Sequence, residues 1–135
     1  MAIFPMQDLK FNFAELKGSD RDVSIEINIE PFELSLDEYS ETIETSIRLD
    51  SIGIAINPKE LERKEFKFPV NPEDGYIDGS IYFFASHNPV DVTKIIFGKI
   101  SNNLLPISLE TNWLLEFEST GFKNISKTVV TNVEL

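Results

Sequence analysis

From Asp22 to Leu49 the chain is written with a period of two. Val23, Ile25, Ile27 and Ile29 interleave with Ser24, Glu26, Asn28 and Glu30; Phe32, Leu34 and Leu36 interleave with Glu33, Ser35 and Asp37; Ile43, Thr45, Ile47 and Leu49 interleave with Glu44, Ser46 and Arg48. Successive side chains of a strand point to opposite faces, so this writing demands ribbons with one aliphatic and one polar face and does not suit an amphipathic helix. Between Arg21 and Arg48 the same stretch holds eight carboxylates and no Lys or Arg. One segment therefore sets a fold class and a sign of charge together.

The remainder reads the same way. Leu9–Phe13 alternates and predicts a first strand, followed by a turn at Gly18-Ser19-Asp20. Pro31 is expected to stop the second strand, because it cannot donate to a central ladder. After Asp50-Ser51, the run Ile52, Ile54, Ile56 fits either one long strand kinked at Gly53 or a hairpin around Asp50-Ser51. Asn57-Pro58, Asn71-Pro72 and Asn88-Pro89 are turn or cap signals. The first predicts a short helix, with Asn57 as N-cap, Pro58 as first residue, Glu60 as capping-box partner and an end near Lys64. Phe66–Val70, Tyr76–Ala85, Val92–Ile100, Leu105–Leu109, Trp113–Phe117 and Thr128–Leu135 read as further strands. The expectation is an all-β, antiparallel β-sandwich of about 8–10 short strands, with at most one short helix near 58–64, in a single domain spanning 1–135. The alternative is α+β, with 57–65 or 91–97 helical.

Composition narrows function mostly by exclusion. There is no Cys, which removes disulfides, thiolate metal sites and Cys nucleophiles. Neither phosphate-loop pattern occurs, and the six glycines are dispersed. The single His87 has no nucleophile elbow beside it and too few companions for a zinc site, so it reads as an exposed turn residue. The cluster Asp37, Glu38, Glu41, Glu44 lacks an EF-hand pattern, and on a strand its members diverge, so no metal is expected there. Glu116 and Glu118 are the nearest approach to a glycosidase pair, but paired outward acids on a strand are ordinary. No cofactor and no catalytic residue is assigned, and an enzyme is not expected.

Net charge is −11, and residues 1–50 hold twelve acids against four bases. Nucleic acid and anionic membranes need a basic footprint, so neither is an expected partner. Met1–Met6 lacks a basic segment followed by an apolar run, and no stretch is long enough to span a bilayer, so a cytoplasmic location is expected. Asn124-Ile125-Ser126 matters as a glycosylation sequon only in a secreted form. A basic protein would be attracted and steered by the acidic segment.

A second signal is a set of strands apolar on both faces. Tyr82 and Phe84 oppose Ile81, Phe83 and Ala85; Ile96 opposes Ile95 and Phe97; Leu114 opposes Trp113 and Leu115. Such faces are either covered from within the molecule or form a contact surface. The leading expectation is a non-enzymatic protein-binding module, in its most concrete form an acidic immunity-type inhibitor of a basic toxin. Its contact residues are Glu26, Glu30, Glu33, Asp37, Glu38, Glu41 and Glu44, with Tyr82, Phe84 and Trp113 as apolar anchors. The alternatives are a homodimer or larger homo-oligomer built on the two-faced strands, and a carbohydrate- or lipid-binding β domain with a deep pocket beside Trp113.

Overall fold

The alternating segments form eight strands in the computed structural model, which describes residues 1–135: β1 (Phe11–Ser19), β2 (Asp22–Leu36), β3 (Tyr39–Ile52), β4 (Glu65–Lys67), β5 (Asp78–Phe83), β6 (Ser86–Phe97), β7 (Leu104–Trp113) and β8 (Ile125–Glu134). They lie in the order β4-β6-β5-β3-β2-β1-β8-β7, and β7 pairs back onto β6. The result is a closed seven-stranded barrel with β4 as an added strand. Neighbours are antiparallel except β1 and β8, which meet in parallel at Ala14 and Val133.

A closed barrel replaces the expected sandwich. Both architectures bury one face of each strand, so a period of two is common to them; what separates them is whether the sheet meets itself. Here β6 closes the circuit. Its first residues pair with β5, from Phe83↔Ser86 to Ser80↔Pro89. Val90 to Phe97 pair with β7, opposite Trp113 to Ile107. β4 occupies the edge of β6 beyond the end of β5, at Ile95 and its neighbours. Bulges between Ile29 and Phe32 in β2 and between Val92 and Lys94 in β6 bend the strands toward closure.

Several local expectations are corrected by this arrangement. Pro31 does not end β2 but sits in its bulge, and the buried positions change from odd (Ile29) to even (Phe32) across it. The missing N–H is tolerated because β1 has already run out: the last β1–β2 pair is Phe11↔Ile29, and Glu30 N donates to Lys10 O at 2.9 Å. Neither reading of Asp50-Ser51 holds. Ser51 has φ +62° and forms a bulge within β3, which runs on to pair Ile52 with Val23. Asn88-Pro89 lies inside β6, where the buried Asn88 amide donates to Ser86 O and Ile81 O. The α+β alternative is also corrected, since 91–97 is strand and the 58–64 helix shrinks to one 3₁₀ turn, Pro58–Glu60. Asn57 does cap that turn, accepting from Lys59 N at 3.1 Å.

The barrel interior is packed with aliphatics: Ile25, Ile27, Ile47, Leu49, Ile81, Ile95, Leu105, Ile107, Leu109 and Val129 are each 1% exposed or less. One end is plugged by aromatic rings. Phe4 lies 5.4–5.9 Å from Phe32, Phe83, Trp113 and Phe122, centroid to centroid. The first residues are held there by a short bridge, Ala2 N donating to Gly121 O and Lys123 N to Ala2 O, each at 2.8 Å. Gly121 has φ +98°, and a Cβ there would lie 2.5 Å from Leu36 Cδ2. Outward positions of β2 and β3 are largely polar. No helix is long and apolar enough to cross a membrane.

Candidate functional site

β2 and β3 outrun their neighbours. β1 accompanies β2 only as far as Ile29, and β5 accompanies β3 only over Ile47–Asp50. Residues 30–46 therefore form a two-stranded arm beyond the ends of the β1 and β5 pairings, turning at Asp37-Glu38 between the last pair, Leu36 and Tyr39. Its inner face is anchored by Phe32, Leu34 and Ile43, all buried, on the aromatic plug. The arm carries Glu30, Glu33, Asp37, Glu38, Glu41 and Glu44 and no Lys or Arg.

None of those six carboxylates is in an ion pair. The four ion pairs of the molecule join Lys17 to Glu15 and Glu26, Arg48 to Glu26, and Lys94 to Glu65. Glu26 thus departs from its sequence-based assignment: it lies below the arm, held between Lys17 and Arg48 at 3.6 Å from each, and is not a free anion. Glu33 accepts the Thr42 hydroxyl proton across the ladder, and Glu30 stands at the bulge, exposed.

Where β5 leaves β3, the two open into a groove of about 640 Å³ lined by Tyr39, Glu41, Thr42, Ile43, Glu44, Tyr82, Phe83, Phe84 and Ala85. One wall is the unpaired edge of β3; the other is the β5–β6 turn. That turn joins Phe83 to Ser86 through Phe84 and Ala85, both with positive φ (49° and 57°). Two such residues give the twist that a two-residue hairpin loop needs, but a bulky side chain in this region is strained. Phe84 is held there by its ring contacts, 5.4 Å from Phe83 and from Tyr39 and 6.1 Å from Phe122. Tyr82 is 47% exposed, its ring 4.8 Å from that of His87 and tilted 56° to it; Tyr39 is 55% exposed. The Tyr39 hydroxyl donates to Glu41, and this bond to the carboxylate, with the adjacent negative charge, raises the phenol above its ordinary 10.0.

Four of the sequence-predicted contact residues, Glu41, Glu44, Tyr82 and Phe84, meet in this groove. Glu30, Glu33, Asp37 and Glu38 stand on the arm outside it. Trp113 is corrected: it points inward with Leu105, Ile107, Leu109 and Thr111, is 0% exposed, and donates through Nε1 to Thr111 Oγ1 at 3.0 Å. A partner cannot reach it, and it lines none of the five principal grooves. The two-faced strands do not join into one patch either. Phe84 and Leu114 are half-buried, whereas Ile96 is exposed far along β6 from the groove. Tyr39, absent from the sequence-based set, was signalled only by being an aromatic among acids at 37–41.

Other chemistry finds little geometry. His87, Asp78, Tyr76 and Asp91 border a hollow of about 300 Å³ in which burial raises Asp91 above its ordinary 3.8, but no hydrogen bond links His87 to an acid or a hydroxyl. Glu116 accepts from Asn124 N at 2.9 Å and serves its own loop. No three His, Asp or Glu side chains converge in a metal-binding arrangement. No family model, curated protein or solved structure matches this chain.

Proposed function

We propose that this protein is a non-enzymatic binding module whose acidic β2–β3 arm takes a basic protein partner, in the manner of an inhibitor that masks a cationic toxin. The observation that carries the reading is the set of six arm carboxylates without a cation partner, beside two exposed tyrosines. Unpaired charge on a projecting element steers an oppositely charged protein and sets orientation, while aromatic rings provide the apolar contact. Covering Tyr39 and Tyr82 would contribute about 2 kcal/mol each.

The test is charge reversal on the arm. Immobilised chain is presented with native lysate, the captured proteins are identified, and the purified candidate is titrated directly. A basic partner is expected to bind the original chain, to lose affinity as ionic strength rises from about 0.05 to about 0.5 M, and to lose about a hundredfold with Glu33→Lys and Glu44→Lys together. Equal binding by the reversed chain, or capture only of neutral and acidic proteins, sinks the reading.

A further inference from the structure

Resting on that reading, we infer that the partner is bound by strand addition: an extended, basic segment pairs with the free edge of β3 at residues 40–44, with its apolar side chains toward Tyr39 and Phe84. β3 is paired along its whole length with β2 on one edge, whereas its other edge has a partner only at Ile47–Asp50. No turn, loop or side-chain hydrogen bond reaches the backbone of residues 40–44. In a closed barrel this is a rare open row of backbone donors and acceptors, about 16 Å long at strand spacing. Such an edge is a template for a guest strand, with main-chain bonds giving affinity and flanking side chains giving selectivity.

Selectivity follows from what stands beside the edge. Glu41 and Glu44 line the groove, and Asp37, Glu38 and Glu33 stand on the same arm outside it. Glu44 lies on the outward face of β3 and Glu41 on the inward face with Tyr39, so a guest with Lys or Arg at its outward positions meets Glu44, while its intervening inward apolar residues meet Tyr39 and Phe84. A second copy of this chain is a poor guest, because edge-to-edge pairing would bring two acidic arms without Lys or Arg together. An acidic or neutral strand lacks the compensating charge.

The probe is a nine-residue peptide alternating Lys with Val, compared with a Glu/Val peptide and with a Lys/Val peptide N-methylated at alternate residues so that it cannot donate along one edge. Amide exchange and chemical shifts are followed by NMR on the full chain. The Lys/Val peptide is expected to protect alternate amides within 40–44, to bind about tenfold more weakly to Glu41→Gln/Glu44→Gln, and to bind more weakly still when N-methylated. The Glu/Val peptide is expected not to bind. Thermal melts of the double variant establish that it is folded. Strand addition is overturned if no peptide binds, if the N-methylated peptide binds as well as its parent, if protection falls elsewhere, or if 40–44 becomes protected by self-association without peptide. A basic protein that binds the arm without protecting 40–44 overturns strand addition while leaving the acidic-arm reading intact. Insensitivity of all binding to arm charge removes both.

Discussion

At the scale of single residues, the groove is built from side chains in unfavourable settings. Ala85 occupies left-handed backbone at φ +57° with no polar side chain to stabilise the turn, which costs an L-residue about 1–2 kcal/mol. Ala85→Gly is expected to raise unfolding free energy by about 1 kcal/mol, read from the urea midpoint at unchanged slope. A lower midpoint would show that the methyl group makes a contact worth more than the strain. Tyr39 gives a pH signature. Its folded value lies above 10.0 because Glu41 accepts its proton, so the preference for the folded state is fully present below 10.0 and is lost as pH rises through the raised value. Absorbance titration is expected to show Tyr39 ionising above 10.0 and returning toward it in Glu41→Ala; no change in that variant would mean that the hydrogen bond does not form in solution.

At the scale of elements, the decisive contacts are where strands approach without side chains between them. A Cβ on Gly79 would lie 2.3 Å from Val90 O and 2.9 Å from Leu49 Cδ2, at the junction where β5 carries the sheet from β3 to β6. The backbone oxygen cannot turn aside as a side chain can. Gly79→Ala is therefore expected to cost about 2–4 kcal/mol, while Gly53→Ala, which meets nothing within 4 Å, is expected to stay within about 0.5 kcal/mol of the parent. Denaturant melts of the pair separate a closure requirement from a general intolerance of substitution. The arm follows the opposite logic. β2 and β3 are longer than the barrel needs, their inner face is buried, and the excess length displays charge and an unpaired edge.

At the scale of the whole molecule, a net charge of −11 works against compaction. With six like charges unpaired on one hairpin, added monovalent salt is expected to raise Tm through screening, most steeply below about 0.1 M, where the Debye length exceeds 10 Å. A Tm that falls with salt would mean that the few ion pairs, chiefly Lys17–Glu26–Arg48, outweigh arm repulsion. Trp113, Phe4, Phe83 and Phe122, each at most 2% exposed, fill the barrel end beside Trp113.

The chain's own alternation determined that this is an all-β protein, which residues of β2 and β3 face inward, and that the polar face of this hairpin is anionic. Those properties depend on neighbours one and two positions away, which any reader of the sequence can see. Closure into a barrel, survival of the strand through Pro31, the Phe84-Ala85 turn and the burial of Trp113 were decided by pairing partners far away in sequence. Pro31 is harmless only where β1 has ended, and a turn without Gly or Asn persists only because Tyr39 and Phe122 pack on Phe84. Which acids stay free was settled in the same way. Glu26 and Glu44 look alike in the sequence, but strand register brings Lys17 and Arg48 to Glu26 and leaves Glu44 beside an open edge.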